Sequence, residues 1–204
     1  MRDPSDHPAP FGDDPLEERI VDSQLIHHGR YLTVRVDTIE RADGSGGTRD
    51  VVVHPGAIAV LALDDEQRLL LVRQWRIPAG RAMLEIPAGT LDVHEGVTED
   101  PDGAARRELE EETGSRAASW RRLGSFWTAP GFATEHMTLY LATGLESVHG
   151  DDDRLTPDED ERLELSAVTI DEALGMVDRG EIADAKSMLG ILWLARLRAA
   201  GELG

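Results

Sequence analysis

The chain of 204 residues has no cysteine, no asparagine, a single lysine (Lys186) and only 4% aromatic residues. Without cysteine there can be no disulfide staples, no thiolate metal sites and no cysteine nucleophile. The missing asparagine fits heat adaptation or coding bias equally, so it carries no functional conclusion. Positive charge is scarce: 21 basic residues face 40 acidic ones, a formal charge of −19. Such a surface repels phosphate backbones, and nucleic acid is not an expected partner. No stretch approaches the roughly 20 apolar residues of a membrane span. Met1-Arg2-Asp3-Pro4-Ser5-Asp6 lacks the apolar run of a secretory signal. The expectation is a cytoplasmic protein with no membrane partner. What is present, 40% hydrophobic residues, suffices for the core of one domain with a modest appendage.

Residues 1–18 hold Pro4, Pro8, Pro10 and Pro15 among acids and few large apolar groups. They read as a tail outside the folded domain. Tyr31–Ile39 alternates as a half-buried strand, Asp43–Gly47 reads as a hairpin turn, and Thr48–His54 as the strand that follows. Ala57–Leu63 and Arg68–Trp75 are continuous apolar runs around the turn Asp64–Gln67, the pattern of central strands covered on both faces. Further strands are expected at Trp120–Trp127, His136–Thr143 and Leu163–Thr169, and helices near 101–113, 170–179 and 184–199. The last helix carries Met188, Leu189, Ile191, Leu192, Leu194 and Ala195 as a broad apolar stripe. Strands mixed with three helices indicate an α/β or α+β sandwich.

The informative segment is Glu99–Gly114. Asp100 suits the N-cap, Pro101 the first helical position and Gly114 the residue past the end. At about 100° per residue, Glu108 and Glu112 fall roughly 40° apart, with Glu111 about 60° to the other side. Ala104, Ala105 and Leu109 place this carboxylate stripe at the border of the inward face. Like charges at i,i+4 cost a helix about 0.2–0.5 kcal/mol per pair, so a half-buried stack calls for a cation. Oxygen-only ligands favour a hard ion such as Mg²⁺ or Mn²⁺. The plain alternative is a solvated acidic face partly neutralised by Arg106 and Arg107.

Upstream stands Glu85-Ile86-Pro87-Ala88-Gly89-Thr90-Leu91-Asp92. Together, the Gly89 loop and Arg107-Glu108-Leu109-x-Glu111-Glu112-x-Gly114 resemble the Nudix box, G-x5-E-x7-R-E-U-x-E-E-x-G-U, where U is a bulky aliphatic residue. The match has one defect. An uninterrupted box from Gly89 would put its arginine at position 103, where the chain has glycine. A four-residue insertion before the helix accounts for this. Glu99 is then favoured as the box glutamate, because helix geometry sets its distance to Arg107; Glu95 is the alternative. Ser115 occupies the final U position.

Gln74-Trp75-Arg76, Glu85-x-Pro87-Ala88-Gly89, Thr128-Ala129-Pro130-Gly131-Phe132 and Gly180-Glu181-Ile182-x-Asp184-Ala185-Lys186 look like the ADP-ribose pyrophosphatase branch of that superfamily. The resemblance covers about residues 25–200. It implies a Nudix-type α/β/α sandwich at 56–204 and an antiparallel strand extension at 19–55 that forms a homodimer by exchange between protomers. The implied reaction is hydrolysis of ADP-ribose, a small nucleoside-diphosphate sugar, to AMP and ribose 5-phosphate. By the same resemblance Glu108, Glu112 and the carbonyl of Ala88 would bind the metal. Glu111 would be a further ligand or would orient water, and Arg107 would hold a box carboxylate. Arg76 would contact substrate phosphate, as would Arg49, often across the dimer. Pro130, Gly131 and Phe132 would shape the substrate loop, with Glu135 near the second sugar.

Hydrolysis also needs a base. The acidic run Asp158-Glu159-Asp160-Glu161 after Pro157 matches the family loop that delivers one, with Glu159 the first choice and Glu161 the second. A solvated acidic loop is the alternative there. His27 and His28 would point to opposite faces of a strand and cannot share a metal. Trp75, Trp120, Trp127 and Trp193 read as core or interface residues. Two other functions fit the same motifs: cleavage of a different nucleoside-diphosphate sugar, and nucleotide binding without turnover.

Overall fold

A computed structural model describes residues 12, 14–148, 155 and 162–203. It divides into two compact units. The first runs to Pro55 and takes in Ala129–Glu135; the second holds Gly56–Thr128 and the chain from His136 onward.

The first unit is an antiparallel meander of β1 (Glu18–His28), β2 (Thr33–Arg41) and β3 (Gly46–Val53). β1 begins at Glu18, one residue inside the segment read as tail. Its register on β2 shifts between Ile20 and Asp22 and again between Leu25 and His27. The turn into β3 forms where the Asp-Gly-Ser sequence predicts it. Gly44 adopts φ 81°, and the Asp43 side chain accepts a bond from the Ser45 N–H at 2.9 Å. Buried Asp37 is held by Ser23 at 2.7 Å and by Arg35 at 3.0 Å. Leu16, Ile20, Leu25, Ile26, Tyr31 and Leu32 are exposed.

The second unit holds β4 (Ala57–Ala62), β5 (Arg68–Arg76), β6 (Arg81–Glu85), β7 (Ala88–Thr90), the hairpin β8 (Val93–His94) and β9 (Val97–Thr98), and then α1 (Pro101–Thr113). β10 (Ser115–Trp127), β11 (His136–Ser147), β12 (Glu164–Thr169), α2 (Ile170–Asp178) and α3 (Ala185–Ala199) complete it. One sheet has the order β10-β11-β4-β7, with β11 and β4 parallel; another has the order β12-β5-β6. The two continuous apolar runs are thus central strands of different sheets, joined by the Asp64–Gln67 turn.

β4 explains the layering. Ala57, Ala59, Leu61 and neighbouring Leu63 pack with Ile170, Ala173, Ile191 and Leu194 of α2 and α3. Ile58, Val60 and Ala62 pack with Ala104, Ala105 and Leu109 of α1. Alternate residues of one strand therefore feed two cores, giving helix, sheet and helix in three layers.

Two expectations need correction. The stripe on α3 is narrower than predicted, because Leu189 and Leu192 face outward. The helix meets the sheet at Gly190, where a Cβ would lie 3.1 Å from Leu61 and 3.2 Å from Ile86. That contact turns positions 189 and 192 away. Of the two readings given for the tryptophans, core or interface, the core one does not hold for Trp75 and Trp127, which are exposed, each in the last two residues of its strand.

Candidate active site

α1 forms where its caps predict. The Asp100 side chain accepts from the Gly103 N–H at 3.2 Å, Pro101 opens the helix, and Gly114 ends it at φ 65°. Ala104, Ala105 and Leu109 are fully buried, which leaves Glu108, Glu111 and Glu112 along the edge of the buried face.

The defect in the box resolves into a small hairpin. β8 and β9 pair across Glu95 (φ 52°) and Gly96 (φ 80°), two left-handed residues of the kind that close tight hairpins. Below them the Glu99 N–H bonds the Asp92 carbonyl at 2.8 Å. The extra residues are looped out, Glu95 sits exposed at the tip, and Glu99 lies against Arg107.

Arg107 does more than hold one carboxylate. Its Nε and Nη2 donate to the two oxygens of Glu99 at 3.2 and 2.9 Å, and Nη1 donates to Glu108 at 2.9 Å and Glu111 at 2.8 Å. The bond to Glu99 raises the Arg107 pKa further; burial opposes that, and Glu108 and Glu111 reinforce it. The same bond holds the Glu99 carboxyl below the usual carboxylate range.

The glycine loop meets the helix at two points. The Ala88 N–H donates to Glu112 Oε2 at 3.0 Å. A Cβ on Gly89 would stand 1.9 Å from Glu108 Oε1, so only glycine leaves room for that carboxylate. Among the described residues, no three acidic or histidine side chains converge as a ready metal cluster. The donor chemistry nevertheless fits a hard divalent cation. The side chains along this edge, Glu108, Glu111 and Glu112, offer oxygen and neither nitrogen nor sulfur, and Glu108 sits in a cradle that a methyl group would fill.

Arg76, at the end of β5, is engaged by Glu85, a residue to which the sequence reading gave no role beyond its place in the motif Glu85-x-Pro87-Ala88-Gly89. Nε and Nη2 donate side-on to the Glu85 oxygens at 2.9 and 2.7 Å. Lys186 donates to the same carboxylate and, at 2.9 Å, to Asp184. Asp184 also caps α3 through the Ser187 N–H at 3.0 Å, and the Ser187 hydroxyl accepts from the Ile86 N–H at 2.9 Å. Burial alone would raise the Glu85 pKa, but Arg76 and Lys186 outweigh it and hold the carboxyl below its usual value. No local signal in the sequence joins Glu85 to the chain's one lysine, 101 residues away.

Glu110 was also missed. It is buried, and Arg116 grips it at 2.6 and 2.8 Å. It further accepts from the Leu155 N–H at 3.2 Å. Glu159 and Glu161, the expected base candidates, lie outside the described residues.

The remaining candidates belong to the first unit. Arg49 is paired with Glu18, its Nε at 2.9 Å. Pro130, Gly131 and Phe132 lie in the segment that bonds to β3: the Val52 N–H donates to the Phe132 carbonyl at 2.7 Å, and the Thr134 N–H to the Val52 carbonyl at 2.9 Å. The Phe132 side chain is exposed. Glu135 stands 3.7 Å from His54 Nε2. Burial depresses the pKa of that histidine more than Glu135 raises it.

Residues 53–189 match the NUDIX domain, and residues 18–52 match the nucleoside diphosphate sugar hydrolase N-terminal domain. The chain is 38% identical to an ADP-ribose pyrophosphatase of Bacillus subtilis (strain 168) over 88% of its own length and 93% of that protein. It is 39% identical, with the same coverage, to a protein of Bacillus methanolicus named methanol dehydrogenase activator. A crystal structure of an ADP compounds hydrolase superposes with a TM-score of 0.78 at 19% identity, covering 94% of this chain and all of that one, a likeness of fold. The NUDIX match over residues 53–189 and the 38% identity over most of the chain agree, and the chain belongs to the NUDIX family.

Proposed function

We propose that this enzyme is a pyrophosphohydrolase that cleaves ADP-ribose to AMP and ribose 5-phosphate with Mg²⁺ or Mn²⁺. The observation that carries the reading is the seating of Glu108 and Glu112 on the Ala88–Gly89 loop. The choice of substrate is supported by 38% identity to a relative named for that activity. In the reaction a water oxygen bonds to one phosphorus as the bridging P–O bond breaks.

Glu108, Glu112, Glu111 and the carbonyl of Ala88 would hold the divalent ion. Bound there, it would neutralise phosphoryl oxygens and acidify water. Arg107 keeps the carboxylates from splaying apart. Arg76 donates to a diphosphate oxygen, a task suited to a planar guanidinium. Glu159, or failing it Glu161, takes the proton of the attacking water. In the first unit Arg49 adds a second phosphate contact, Pro130, Gly131 and Phe132 shape the substrate loop, and Glu135 meets the second sugar. Residues 19–55 build a homodimer through the exposed apolar groups of β1 and the turn after it, among them Leu25, Ile26 and Tyr31.

The test is chromatography of products after incubating the pure protein with ADP-ribose and either metal, beside Glu112→Gln. AMP and ribose 5-phosphate from the wild type alone support the reading. AMP or GMP released only from another nucleotide sugar would replace the substrate, and binding without turnover would make the chain a nucleotide-binding protein. Sedimentation at two concentrations tests the dimer.

A further inference from the structure

Glu85 is 1% exposed, yet it is a carboxylate shared by two cations. A buried charge of this kind costs stability unless fully paired, so its position calls for a reason beyond packing. Its partners supply one. Arg76 gives Glu85 its Nε and Nη2, which leaves Nη1 to another acceptor, and the Arg76 side chain is 40% exposed. Lys186 is 12% exposed and is itself pinned by Asp184, the cap of α3. The chain of contacts thus runs from the end of β5 through the end of β6 to the first turn of α3.

We propose that Glu85 is a positioning residue: held by Lys186 and the α3 cap, it fixes the Arg76 guanidinium with Nη1 presented to the substrate diphosphate. This rests on the reading of Arg76 as a phosphate contact. An unsupported arginine could reach the same oxygen, but it would lose side-chain freedom on each binding event. Side-on pairing at Nε and Nη2 removes that cost in advance, and Lys186 keeps the carboxylate from following the guanidinium toward solvent.

The experiment is a double-mutant cycle of Arg76→Ala and Glu85→Gln. It is read as KM and kcat on ADP-ribose and, without any cleavage, as the dissociation constant for inorganic pyrophosphate. Each single variant is expected to raise KM and the pyrophosphate Kd about tenfold, kcat moving much less, and the double variant no further than the larger single. Multiplication of the two effects to about a hundredfold would overturn the proposal, because independent sites add in free energy. Should Glu85→Gln fail to fold, Glu85→Asp keeps the buried charge but shortens the reach, and it enters the cycle with the same expectation. Pyrophosphate binding that shows the coupling while ADP-ribose stays intact would remove the proposed substrate and leave Glu85 in its role. No pyrophosphate binding by the wild type would remove the role.

Discussion

Replacing Gly89 by alanine tests the site at its tightest point. The new Cβ would lie 1.9 Å from Oε1, 2.0 Å from Cδ and 2.6 Å from Cγ of Glu108. Ordinary van der Waals contact begins at 3.4 Å, so the carboxylate must withdraw by about 1.5 Å. The obstructing atoms are the far end of a flexible side chain, and Gly89 is not in the left-handed region, so the fold should absorb the change. The melting temperature should fall by only about 2–4 °C, the equivalent of roughly 1 kcal/mol in a chain of this size. Activity should behave differently. A misplacement of about 1 Å in a catalytic constellation can cost on the order of a hundredfold, and the expected loss in kcat is at least that. Steady-state kinetics beside a thermal melt separates the two quantities. Wild-type kcat with an unchanged melt would mean that Glu108 is not needed where the glycine cradle puts it.

Glu112→Gln should abolish turnover and leave the melt within about 1 kcal/mol of wild type, since the amide oxygen can still accept from Ala88; near-normal activity would move the metal site elsewhere. Arg107→Ala removes the donor shared by Glu99, Glu108 and Glu111 and should cost about 1–3 kcal/mol together with most of kcat. A denaturant titration showing no loss of stability would contradict that shared role. Acid should weaken the protein partly through Glu85. Its folded pKa lies below its ordinary 4.5, so its pairing stabilises fully above that pH and is lost as pH falls through the folded value. The melting temperature between pH 7 and 3 should therefore fall less steeply in Glu85→Gln, and equal slopes would refute the assignment.

Much of the second unit was legible because its signals are local. Asp100, Pro101 and Gly114 punctuate α1 by chemistry that acts within one turn, and the unbroken apolar run of β4 declares a strand covered on both faces. The insertion was visible as a miscount but not as a hairpin, because Glu95 and Gly96 had to be seen in left-handed backbone first. Glu85, Lys186 and Asp184 stayed hidden for another reason. The bond from Lys186 to Glu85 spans 101 residues, and no periodicity marks a charge that is buried because a distant partner awaits it. The α3 stripe misled for a related cause, since a glycine at a contact can outweigh the leucines beside it.

The parallel pairing of β4 with β11 also sets an order of events in synthesis. Ala57 pairs with Met137, about eighty residues later, and the α1 sequence lies between them. At ribosomal rates of about 5–20 residues per second, the stretch from Thr113 to Met137 takes roughly one to five seconds to emerge. During that interval α1 can coil, but β4 still has one bare edge and its two cores are unfilled. A nascent chain halted before His136 would carry the complete box with only part of the platform that seats it, and its six consecutive apolar β4 residues, Ala57 to Ala62, would be left for chaperones to cover.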